Sequence, residues 1–169
     1  MTEGQTPEPV APRSSRIGVY GLTLMFIAAV FLVLSFTALS WYRVDTPGIS
    51  SASFRFSFSK LHDVVGDNSL LPSSTRAYFG WLAWTLAPVL IVVGVLANLP
   101  SRFAPGLRLL GLLVGAFGVS MTYFSFDKLN GGHHLDHARP GVWLALIGFA
   151  VGAVGSALGP PRAAATISP

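Results

Sequence analysis

The sequence predicts an all-α integral membrane protein, a four-transmembrane-helix bundle whose first outer loop carries a small β-hairpin. Three observations predict it. Four long stretches are apolar and nearly free of charge; 51% of the 169 residues are hydrophobic against 11% charged; and tryptophans and tyrosines gather at one end of the stretches. A soluble fold of this size has too little interior to hide so much apolar surface, and the mean hydropathy of +0.59 points the same way. One bundle and one modest loop use up the chain, so a single membrane domain over residues 17–159 is expected.

The first span covers residues 17–39, an uncharged run reaching ~35 Å as a helix. Arg13 and Arg16 before it resemble the basic start of a signal peptide, but the apolar run is too long for one. The second span is expected at 79–99, the third at 107–126 and the fourth at 142–158. Arg108, one turn inside the third, can run its stem along the helix and place its guanidinium among headgroups. Six basic residues lie on one side and five on the other, so the count alone does not orient the chain. Arg102 and Arg108 occupy a short connection without an acid, and Arg13 and Arg16 abut the first span. Both termini are therefore expected in the cytoplasm of a cell membrane. All four tryptophans (Trp41, Trp81, Trp84, Trp143) and Tyr42, Tyr78 and Tyr123 then form one aromatic belt at the outer face.

Lipid solvates leucine as well as a neighbouring helix does, so small residues must draw the spans together. Gly111, Gly115 and Gly118 form one stripe on the third span, and Gly148, Gly152 and Gly155 belong to another on the fourth. The expectation is an antiparallel pair joined along the two stripes. Pro88 in mid-span lacks an amide donor and is expected to kink the second helix. Polar residues in the spans are sparse: Ser35, Thr37, Thr85, Ser120, Thr122 and Ser156 can each bond back to a carbonyl of their own helix. No charged relay or broken-helix site marks a transport path.

The outer loop, residues 40–76, holds the best local signal. In Ser53-Phe54-Arg55-Phe56-Ser57-Phe58-Ser59 aromatics alternate with polar residues, the pattern of a half-buried strand. Trp41 to Asp45 can pair with it through a turn at Thr46-Pro47-Gly48. Phe54, Phe56, Phe58 and Trp41 are the expected partner-binding residues, or else they cover the bundle itself. Ser73 and Ser74 are expected caps for the second span. His133, His134, Asp136 and His137 cluster after Asn130-Gly131-Gly132, which should end the third helix, and Arg139-Pro140 should start the fourth. With His62 they are candidate ligands for zinc or copper, since imidazoles at i, i+4 can chelate; a wet turn is the plainer reading.

Cysteine is absent, which excludes disulfides and thiolate chemistry. The net charge of +4 is spread over both faces, so nucleic acid is not an expected partner. Proline-bearing tails, 1–16 and 160–169, are expected to be disordered and cytoplasmic. Two lysines among many Ala, Gly, Pro and Arg residues fit a GC-rich bacterial gene.

In layout, with a larger strand-bearing first outer loop, a tight inner turn and a small second outer loop, the chain is similar to claudin-like tetraspans. It has neither their Trp-Gly-Leu-Trp run nor their paired cysteines, so the likeness implies topology and no site residue. The function expected is that of a non-catalytic accessory subunit, assembly factor or scaffold, with a membrane-protein partner or a second copy. The alternatives are a metal-binding membrane protein and a small-solute transporter or channel.

Overall fold

The computed structural model describes residues 17–45, 53–66, 68–133, 135 and 137–159. Both expected tails, the turn at 46–48, His134 and Asp136 lie outside the described residues. Element α1 spans Val19–Thr37, β1 Ser40–Asp45, β2 Ser53–Ser57, α2 Phe58–Gly66, α3 Ser73–Ala97, α4 Ala104–Leu129 and α5 Pro140–Leu158. Helices α1, α3, α4 and α5 are each long and apolar enough to cross a membrane.

The membrane-length part of each of these four helices is apolar on all sides, so polarity does not separate inside from outside. In α1 the buried positions Gly21, Met25, Ala28, Leu32, Ser35 and Phe36 recur at helical spacing, whereas Tyr20, Phe26 and Val33 face outward. A lipid-facing surface needs no polar residues, so the usual amphipathic contrast is missing. Helix α3 begins earlier than its apolar run, with Pro72 as N-cap and no side-chain cap, so Ser73 and Ser74 are first-turn residues rather than caps. Tyr78–Leu82 forms a π-helical turn, in which the amide of Ala83 donates to the carbonyl of Tyr78. Pro88 follows inside the same helix. At the far end of α4, Asn130 ends the helix and Gly131 and Gly132 adopt φ of 67° and 85°, conformations open to glycine. Arg139 is the N-cap of α5 and Pro140 opens it, as the sequence predicts.

Helix α5 is the axis of the bundle, packed against α1, α4 and α3. The expected pairing of two glycine stripes is half right. Gly111 and Gly115 of α4 do meet α5, but against Ser156 and Ala153, and Gly118 lies against Phe149. The stripe of α5 turns instead to α1 and α3: a Cβ at Gly148 would lie 2.9 Å from Leu32, at Gly152 2.6 Å from Leu90, and at Gly155 3.0 Å from Leu24. Phe149, Ala153 and Ser156 each follow a stripe glycine by one residue, so they sit about 100° further round the helix. One helix thereby offers two faces to three neighbours, the glycine stripe to α1 and α3 and the adjoining row to α4.

At the end of the bundle opposite the hairpin, Asn98 is fully buried. Its Nδ2 donates to the carbonyls of Gly94 at 2.8 Å and Gly155 at 3.0 Å, while its own backbone carbonyl accepts from the amide of Gly18 at 3.1 Å. One residue thus joins the start of α1, the end of α3 and the end of α5. Buried in an apolar setting, such an amide is worth retaining only when its donors are met.

Gly115→Ala should lower stability by about 1–3 kcal/mol, because a Cβ there would lie 2.6 Å from that of Ala153 and 2.9 Å from the Phe149 carbonyl. Gly106→Ala, with nothing within 4 Å, is the control expected to show no loss. Reversible unfolding by sodium dodecyl sulfate in mixed micelles measures both, and equal effects would contradict the packing described.

Candidate functional site

The site expected in the outer loop is a lid fastened over the ends of the helices. Strands β1 and β2 pair antiparallel, with Tyr42 opposite Phe56, Arg43 opposite Arg55 and Val44 opposite Phe54. This is the hairpin the alternation predicts. Between Ser40 and Tyr42 the register slips, leaving Trp41 as the extra residue of a bulge. A bulge re-aims one side chain, and here it sends the indole into the bundle.

Trp41 is 0% exposed, and its Nε1 donates to the Ser35 carbonyl at 2.8 Å. The Ser35 hydroxyl donates in turn to the Gly141 carbonyl at 2.7 Å. The amide of Arg139 donates to the Trp41 carbonyl at 3.4 Å. These bonds tie the end of α1, the hairpin and the start of α5 into one unit. Around the indole stand Phe36, Phe58 and Phe79, with ring centroids 5.9, 4.9 and 5.9 Å from it. Trp84 flanks Phe36 and Phe58 at 5.5 and 5.9 Å. Edge and tilted arrangements of this kind add to the gain from burying the rings.

Strand β2 is shorter than the aromatic alternation suggests. It ends at Ser57, and Phe58 begins α2. Phe58, Leu61 and Val65 are the buried face of that helix, at spacings of three and four. Phe58 belongs to both patterns, which is why the period-two reading ran past it. The other face of α2 is exposed, while His62 Nδ1 donates to the carbonyl of Phe79 at 3.2 Å, next to the π-helical turn. Deeper in, Tyr78 is fully buried and its hydroxyl donates to Thr122 Oγ1 at 2.6 Å, while Thr122 donates to the Gly118 carbonyl at 2.7 Å.

The four residues expected to meet a partner are therefore divided. Trp41 and Phe58 form the core of the lid, and Phe56 is half-buried against it. Phe54 alone of the four projects outward, 59% exposed. The aromatic belt is divided too: Trp81, Trp84 and Trp143 face outward, whereas Trp41 and Tyr78 are inside. Among the candidate metal ligands, His133 and His137 are exposed, His137 with its ring 6.3 Å from that of Tyr42, and His62 sits on α2 against Phe79. Among the described residues no three metal-ligating side chains come together.

Of the six polar residues noted in the spans, Thr37, Thr85, Ser120, Thr122 and Ser156 bond to carbonyls of their own helices, as expected. Ser35 departs, bonding across to α5. Asn98 escaped the sequence reading. Its signal was an amide side chain at the end of an apolar run, ahead of Pro100.

The fold and its lid define a small four-span membrane protein with a hairpin at one end. No family model matches the chain, and no curated protein or solved structure matches it either.

Trp41→Ala should cost about 3–5 kcal/mol and release the hairpin, since it removes a buried ring and leaves the Ser35 carbonyl without its donor. Faster hydrogen exchange at the β1 and β2 amides, with α4 unaffected, is the expected reading. Trp41→Phe, which keeps a ring but loses the bond, should fall between.

Proposed function

We propose that the protein is a non-catalytic accessory subunit, assembly factor or scaffold of a membrane complex. In this reading it resides in a bacterial cytoplasmic membrane, with both termini in the cytoplasm and the hairpin loop presented outside to a membrane-protein partner. The observation that carries the proposal is Phe54, a large apolar ring 59% exposed on a strand pair that the bulge and the buried indole hold in place. A fixed aromatic on a short two-stranded ribbon suits recognition, because little order remains to be lost on binding and each strand keeps an open edge. The interior supports the same reading: its buried hydroxyls and the Asn98 amide hold backbone carbonyls.

Copurification in mild detergent, followed by mass spectrometry, tests the proposal, and repeated recovery of the chain alone would count against it. Phe54→Ser should reduce the recovered partner by about fivefold or more while leaving the unfolding midpoint unchanged, as expected for an interface anchor outside the core. Stoichiometric zinc or copper in the purified protein, lost on replacing His133, His134 and His137, would favour metal handling instead.

A further inference from the structure

Two clefts lie along the hairpin-side half of α1, one on the flank between α1 and α3 and one at the end of α1 beside β2 and α2. The deeper one, about 440 Å³, is lined by apolar groups that include Ala29, Leu32, Val33, Trp84, Ala87 and Pro88. Its size is that of a small-molecule site. Small side chains at Ala29 and Ala87 leave the gap, and the cleft opens sideways from two helices that are apolar on all faces, toward the space hydrocarbon fills. The second cleft, about 390 Å³, is lined by Ala38, Leu39, Ser40, Arg55, Ser57 and Lys60. Consecutive residues at the end of α1 line the two clefts, Thr37 the first and Ala38 the second.

The upper cleft is basic. Arg55 and Lys60 are both exposed, and neither has an ion-pair partner among the described residues. Arg55 also stands directly across the strand pair from Arg43. An apolar slot at hydrocarbon depth with one guanidinium and one ammonium group near headgroup height suits a lipid with a negative head.

We infer that this composite cleft binds an anionic phospholipid of the hairpin-side leaflet. One acyl chain lies in the slot between Ala29, Leu32 and Pro88, and the phosphate sits between Arg55 and Lys60 with the Ser40 and Ser57 hydroxyls as further donors. A bare transmembrane segment of another protein could fill the slot but supplies no negative group at that height. The inference does not depend on the accessory role proposed above.

Native mass spectrometry of the full chain, released from nanodiscs of equal phosphatidylglycerol and phosphatidylcholine with matched acyl chains, tests it. The expected result is one retained phosphatidylglycerol, favoured over phosphatidylcholine by about tenfold or more, each basic group near an anionic lipid being worth about a factor of five. The double variant Arg55→Gln, Lys60→Gln should bring that preference below about twofold, and Ala87→Phe should abolish retention of either lipid. Equal retention of the two lipids by the natural chain, or a preference that survives the double variant, would overturn the inference. Should Ala87→Phe not fold, quenching of Trp84 emission by phosphatidylglycerol with brominated chains supplies the same information, read against a Trp84→Phe variant. Quenching that the double variant abolishes supports the site; no quenching, or a copurifying polypeptide that shields Trp84, refutes it.

Discussion

The bundle depends on how closely α5 lets its neighbours approach. In hydrocarbon there is no gain from hiding leucine, so cohesion must come from dispersion between backbones brought near enough to touch, and from the few polar groups that bridge them. Helix α5 provides both. Its glycines 148, 152 and 155 admit Leu32, Leu90 and Leu24, and the face one residue further on places Phe149, Ala153 and Ser156 against the glycines of α4. Large meets small along the α5 glycine stripe and at Phe149 on Gly118, and small meets small where Ala153 and Ser156 face Gly115 and Gly111. The cleft beside Pro88 opens between α1 and α3, which pack on each other less than either packs on α5.

Two polar fastenings stand at opposite ends of this axis. On the hairpin side, the chain of bonds from Trp41 to Ser35 to Gly141 makes the strand pair part of the bundle rather than an appendage. On the other side, Asn98 ties Gly94, Gly155 and Gly18. Between them Tyr78 of α3 donates across to Thr122 of α4, while Thr85, Ser120 and Thr122 turn back on carbonyls of their own helices. A polar bond between helices costs little here because each partner would otherwise be buried unpaired.

Much of the architecture was legible because the bilayer imposes length and hydropathy on any chain that crosses it. Four spans, the stop at Asn130-Gly131-Gly132, the start at Pro140 and the pairing of Trp41–Asp45 with the aromatic strand could all be read from residue patterns. Direction around a helix could not. With every face apolar, nothing in the sequence says that the stripe of α5 looks toward α1, and only the Phe149, Ala153, Ser156 row, visible afterwards, shows the second face. Helix α2 was hidden because Phe58 fits both a period of two and a period of three to four. Trp41 was read as a surface anchor because indoles favour interfaces, and the bulge that buries it leaves no mark in local composition. Of the four aromatics expected to meet a partner, only Phe54 ended on the surface.

The bond between Ser35 and Gly141 joins residues 106 positions apart in sequence. During synthesis at roughly 5–20 residues per second, α1 must therefore spend on the order of ten seconds in the membrane before its principal companion exists. Throughout that interval Gly21, Ala28 and the Ser35 hydroxyl face lipid or the insertion machinery. Packing of α1 therefore waits until α5 has entered the membrane.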